Sequence, residues 1–160
     1  MASNFPLGNG RWIGRGSYLT KGASLTTQID LSFEVVSESV GTHVKGSQSL
    51  RDGSSRHAFA CWITANDTGT YDLAAQFAAA NLTGNAKLES LPSLGLLWSK
   101  DGITHATFTL FEVRGGWGCR GFYHASDALL SWEVMLEPHN RVAAKDSANV
   151  IAIDPRKRRR

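Results

Sequence analysis

The sequence predicts an all-β protein, an antiparallel up-and-down barrel of about eight to ten strands in the size range of ligand-holding barrels. Three observations predict it. Alternation of apolar and polar residues at period two recurs along almost the whole chain. Clusters of Gly, Asn, Asp and Ser break that alternation at hairpin-length intervals. The 160 residues include 16 glycines and only 4 prolines, which favours strands and turns over helices. A chain of this length reads as one domain, burying roughly two-thirds of the surface its unfolded form exposes.

After a lead-in over residues 1–9, the first strand is expected at 11–19. The second, at 26–37, sets Ile29, Leu31, Phe33 and Val35 on one face and Asp30, Ser32 and Glu34 on the other, so one side must be buried. A more polar strand over 42–50 closes on Arg51-Asp52-Gly53-Ser54, where Asp-Gly supplies the positive φ of a tight hairpin. Strands at 56–65 and 70–77 flank Asn66-Asp67-Thr68-Gly69 and make a hairpin. From Ala74 to Ala80 the run is rich in alanine, and its helix propensity sets a short helix against a continuing strand. Further strands are expected at 86–91, 95–99, 104–114, 116–125 and 129–137, with Lys100-Asp101-Gly102 and Arg114-Gly115-Gly116 as the clearest joints. Closing such a meander into a barrel over 10–137 removes the exposed edges that many strands create. Residues 138–154 read as an extension whose last apolar run, Val150-Ile151-Ala152-Ile153, could add a strand or dock on a second copy of the chain. Residues 155–160 read as a basic tail without fixed structure.

That tail dominates the charge. The net charge is +3, yet Arg156, Lys157, Arg158, Arg159 and Arg160 supply five of the 17 basic residues, which leaves the body mildly acidic against 14 Asp and Glu. Nucleic acid is therefore not expected as a partner of the barrel, and only the tail could attract a polyanion. Cys61 and Cys119 show neither metal spacing nor the density of a disulfide scaffold, so they read as buried, reduced, small hydrophobes. The first ten residues lack a basic segment followed by an apolar run, and no stretch approaches the length of a membrane span. The expectation is a cytoplasmic protein with no membrane partner. The sequons Asn66-Asp67-Thr68 and Asn81-Leu82-Thr83 carry no weight in that setting.

The segment Gly10-Arg11-Trp12-Ile13-Gly14-Arg15-Gly16 opens the first strand and resembles the calycins: lipocalins, fatty-acid-binding proteins and nitrobindin-like domains. In those families the tryptophan plugs one end of the barrel. Gly14-x-Gly16 is most similar to nitrobindin-like ten-stranded barrels, and the meander carries the resemblance over most of the chain. Trp12 sets a large plug beside two positions without side chains, where a strand can bend or a neighbour approach closely. The resemblance implies a barrel that holds a small hydrophobic or aromatic ligand. It also raises haem as a lesser alternative, because haem-binding nitrobindin-like proteins use a histidine near the end of the barrel. His139 is the nearest positional match, although Glu137-Pro138-His139-Asn140 reads as a turn. The early helical lid of fatty-acid-binding proteins is absent from the pattern.

Residues expected to line a ligand site are Trp12, Phe33, Phe59, Trp62, Tyr71, Phe108, Tyr123, His124 and Trp132, because large rings spread over most strands can coat a barrel interior. The five histidines offer no metal site within one strand. His105 and His124 lie on the two strands of one hairpin, so either could project into a cavity. Glu112 alternates with Phe108 and Leu110, and a carboxyl buried among them would have a raised pKa. The sequence has no Gly-x-Ser-x-Gly elbow and no phosphate-cradling loop before a helix. The reading leans to a binding protein without a required cofactor. The alternative is a small isomerase, lyase or cyclase in which Glu112, His105 or Tyr71 transfers a proton.

Overall fold

A computed structural model describes residues 5–140 of the chain. Ten strands follow one another: β1 Gly10–Thr20, β2 Thr27–Glu38, β3 Gly41–Leu50, β4 Arg56–Ala65, β5 Tyr71–Phe77, β6 Ala80–Lys87, β7 Ser93–Ser99, β8 His105–Val113, β9 Gly116–Ala125 and β10 Ala128–Pro138. Each pairs antiparallel with its sequence neighbours, and β1 closes the ring against β10 from Trp12↔Pro138 to Thr20↔Leu130. The all-β up-and-down barrel read from the sequence is the observed fold. Full closure leaves no unpaired edge.

Alternation decides which side chains turn inward. On β2, Ile29, Phe33 and Val35 are buried while Gln28, Ser32 and Glu34 face solvent. On β6, Leu82, Gly84 and Ala86 are buried while Asn81, Thr83, Asn85 and Lys87 are exposed. Four of the nine joints have two residues and the rest five or six, and Gly22, Gly53, Gly69, Gly102 and Gly115 take the positive φ that their turns need.

Ala74 to Ala80 is not helical. Residues 74–77 complete β5, Ala78 turns with φ 51° and Ala80 opens β6, six residues earlier than the expected 86–91. The reason is tertiary: as a strand, the segment pairs with β4 on one side and β6 on the other and points Ala75 and Phe77 inward. A helix there would forfeit both ladders, which outweighs a propensity worth tenths of a kcal/mol per residue. The expected extension beyond Asn140 and the basic tail lie outside the described residues.

One end of the barrel is filled. Trp12, Val35, Thr42, Ile63, Tyr71, Leu73, Leu88, Ser93, Leu110, Val134 and Leu136 are all buried there. Leu7, in the lead-in before β1, is buried against them and Phe5 packs alongside. The Trp12 indole Nε1–H donates to the Gly8 carbonyl at 2.8 Å, tying the lead-in to the plug. At the other end Ile29, Leu82 and Leu97 are buried, while the inward aromatic side chains keep partial exposure.

Candidate functional site

Two diagonal rows of inward side chains, traced by the strand registers, wind around the wall, the second starting in the filled end at Trp12 and Phe33 and reaching the half-open end at Phe59 and Phe77. The first runs Tyr18, Trp132, Gly121, Phe108, Gly95 across β1, β10, β9, β8 and β7. The second runs Trp12, Phe33, Gly46, Phe59, Phe77 across β1 to β5. Glycines interrupt the rings of each row, and they are where neighbouring rings lie against the wall. A Cβ on Gly121 would run into the Thr107 carbonyl and come within 2.7 Å of the Trp132 ring, and one on Gly95 would strike the Phe108 ring. Over Gly46 the Phe33 and Phe59 rings approach to 6.1 Å between centroids.

Tyr18, Phe59, Phe77, Phe108, Tyr123 and Trp132 all point inward and are all only partly buried. At the mouth, Phe77 and Tyr123 meet edge to face with centroids 6.4 Å apart. Beside them Gln48 and His57 are cross-strand partners on β3 and β4, and the His57 ring lies 6.0 Å from Phe77. The half-open end thus turns partly exposed aromatic rings inward, with an amide and an imidazole at its rim. That composition suits burial of a small apolar body with one polar end directed outward.

Of the expected lining residues, Trp12, Phe33, Phe59, Tyr71, Phe108, Tyr123 and Trp132 do point inward, with Trp12, Phe33 and Tyr71 in the filled end. Trp62 and His124 do not. Trp62 is 47% exposed on the outer face, where its indole stacks on His43 at 4.1 Å and 5°. Its neighbours Cys61 and Ile63 take the inward places on β4, so the pleat leaves Trp62 outside. His124 is also outside, paired across β8 and β9 with His105, because Tyr123 and Ala106 hold the inward places. Gln48 and His57 are the rim residues that sequence reasoning missed. Asp52-Gly53, which fixes the turn between their strands, was the signal that could have placed them opposite each other.

The proposed acid-base residues do not come together. Tyr71 is buried at the filled end of β5, Glu112 is exposed at the end of β8, and His105 is exposed on the outer surface at the other end of β8. β5 and β8 are three steps apart on the wall, roughly 14 Å at about 4.8 Å per strand. Burial pushes the Cys61 and Cys119 thiols up to about 12, which leaves both protonated and poor nucleophiles. His139 follows β10 beyond Pro138 and is exposed at the filled end.

The outer wall of β1 to β6 is largely polar, whereas β7 turns Leu94, Leu96 and Trp98 to solvent and β9 adds Phe122. On that side a surface groove is lined by Leu91, Pro92, Thr109, Phe111, Arg120 and Phe122. Arg120 lies 4.9 Å over the Phe111 ring and pairs with Glu133 at 2.8 Å. No metal-ligating group of three or more side chains occurs among the described residues, and no described helix is long and apolar enough to cross a membrane.

Comparison with protein-family models, with curated proteins and with solved structures finds no match to the chain. The closed ten-stranded barrel is consistent with a calycin-like fold.

Proposed function

We propose that the half-open end of the barrel binds a small hydrophobic or aromatic ligand, inserted among Tyr18, Phe59, Phe108, Tyr123 and Trp132 with its polar end at Gln48 and His57. One observation carries the reading: Trp12, Phe33 and Tyr71 are buried toward the end that Leu7 and Trp12 plug, yet Tyr18, Phe59, Phe77, Phe108, Tyr123 and Trp132 in the opposite half stay in contact with solvent. An apolar lining that remains wet gains free energy when a ligand dries it, at about 25 cal/mol for each Å² removed from water. Ring stacking supplies affinity, and the rim amide and imidazole orient the ligand. The calycin resemblance of Gly10-x-Trp12 supports the same use of the interior.

The test is retention and displacement. Native mass spectrometry of the protein from its own host, joined to a visible absorption spectrum, should detect a retained organic ligand; a Soret band would identify that ligand as haem. The apo protein should bind anilinonaphthalene sulfonate with fluorescence gain, and Ala75→Trp or Ala106→Trp, which add bulk to the inward face of this half, should abolish it. Failure of the folded wild type to bind any apolar probe would overturn the reading.

A further inference from the structure

We infer that His105 and His124 together form a bidentate site for a borderline divalent transition cation, copper(II) before zinc(II), on the outer face of the β8–β9 hairpin. The two residues are direct register partners. Their rings are 6.0 Å apart between centroids and only 23° from parallel, and both side chains are exposed. Among the described residues no hydrogen bond or ion pair engages either imidazole, so a metal has only water and the proton to displace from the ring nitrogens.

The distances are close to those a chelate needs. Metal–nitrogen bonds of about 2.0–2.1 Å place the two nitrogens about 2.9 Å apart at the right angle of a square-planar copper(II) site and about 3.3 Å apart at the tetrahedral angle of zinc(II), with ring centres about 4.5–5 Å apart. Side-chain rotation that closes the observed spacing by about 1–1.5 Å meets that, without movement of the paired strands. Cross-strand neighbours are held at a fixed Cβ separation of roughly 5 Å by the ladder, so the site is preorganised by backbone hydrogen bonds. Imidazole donors select copper(II), nickel(II) and zinc(II) over magnesium and calcium, and within that group copper(II) binds tightest. Since no third ligating side chain joins the pair among the described residues, the remaining coordination positions go to water.

The flanks supply a reporter. Across the same row lie Trp98, the partner of His105, and Leu129, the partner of His124. Copper(II) held by the pair would sit close to the Trp98 indole and quench its fluorescence.

The experiment titrates copper(II), zinc(II) and magnesium into the full chain in a non-coordinating buffer, following heat and tryptophan emission. The expected result is one copper per chain with quenching that Trp98→Phe removes, weaker zinc binding, and no response to magnesium. His105→Gln and His124→Gln should each weaken copper binding by about tenfold or more, and the double variant should be little worse than either, because a chelate is lost with its first arm. His43→Gln, on the outer face of β3 away from the pair, serves as a control and should bind copper as the wild type does. Both outward positions tolerate substitution, and unchanged thermal melts verify it. Unchanged copper affinity in the double variant overturns the site, as does loss in only one of the two single variants.

Discussion

Phe77 on β5 and Tyr123 on β9 touch across the mouth of the barrel, edge to face at 60°, although four strand steps separate them around the wall. An edge-on aromatic pair contributes about 0.5–1.5 kcal/mol beyond its buried area. On the proposed reading, a ligand entering this end would displace the Phe77–Tyr123 contact. Phe77→Ala should therefore speed release of anilinonaphthalene sulfonate several-fold in stopped-flow displacement while lowering stability by only about 1–2 kcal/mol, since the ring is half-exposed. An unchanged release rate would remove the gate.

Trp12 closes the other end, and its loss should be felt by the whole barrel. Trp12→Ala should cost about 3–5 kcal/mol in urea unfolding, the usual range for truncating a buried aromatic ring. Trp12→Phe keeps most of the apolar plug and forfeits the bond to the Gly8 carbonyl, for a loss nearer 1 kcal/mol plus the smaller ring.

Two glycines make a paired test of backbone approach. A Cβ at Gly46 would collide with the Ser32 carbonyl and the Phe33 backbone, so Gly46→Ala should cost about 2–3 kcal/mol. At Gly8 a Cβ meets nothing within 4 Å, so Gly8→Ala should lie within about 0.5 kcal/mol of wild type. The contrast is read from two denaturation curves.

Cys61 and Cys119 give stability a pH dependence on the alkaline side. Both thiols ordinarily ionise near 9.0, and burial pushes them up to about 12 in the folded protein. Unfolded thiols ionise first as pH rises, so the folded state holds the extra protons. Stability is fully present below about pH 9 and falls toward pH 12, by as much as roughly 1.4 kcal/mol per pH unit for each thiol. A double Cys61→Ala, Cys119→Ala variant should show a flatter alkaline limb. In the native state neither thiol should react with a water-soluble disulfide reagent at pH 8.

Asn66 knots the turn between β4 and β5. Its Oδ1 accepts from the Thr68 and Thr70 N–H groups at 3.1 and 3.2 Å, and its Nδ2 donates to Asp72 Oδ1 at 3.1 Å. Asn66→Ala should lose about 1–2 kcal/mol, visible as a thermal shift of several degrees.

The fold was legible because one face of most strands carries charge or amide. Gln28, Asp30, Ser32 and Glu34 leave β2 no alternative orientation, and Asp-Gly pairs date the turns. Legibility ended where both faces of a strand are apolar. On β4 the sets Phe59, Cys61, Ile63 and Ala58, Ala60, Trp62 are equally able to face inward, and only the register with Thr42 and Val44 of β3 decides between them. On β8 the outward Phe111 masks the polarity of His105, Thr107 and Thr109. The meeting of His105 with His124 depends on a hairpin register that residue types alone do not fix. Residues 74–80 misled for another reason: propensity is local, while the two ladders that hold the strand come from β4 and β6.

Nine of the ten strand pairings join neighbours in sequence, and only β1 with β10 reaches from one end of the barrel to the other. A chain emerging from the ribosome can thus zip hairpin after hairpin as it is made, but β1 keeps an unsatisfied edge until Leu130 to Pro138 have been translated. For most of its synthesis the protein is an open curl with two sticky margins, exposed to pairing with a neighbouring nascent chain. Arg11 and Arg15 on that waiting edge point to solvent and carry like charge, a repulsion that works against such pairing before the last strand arrives.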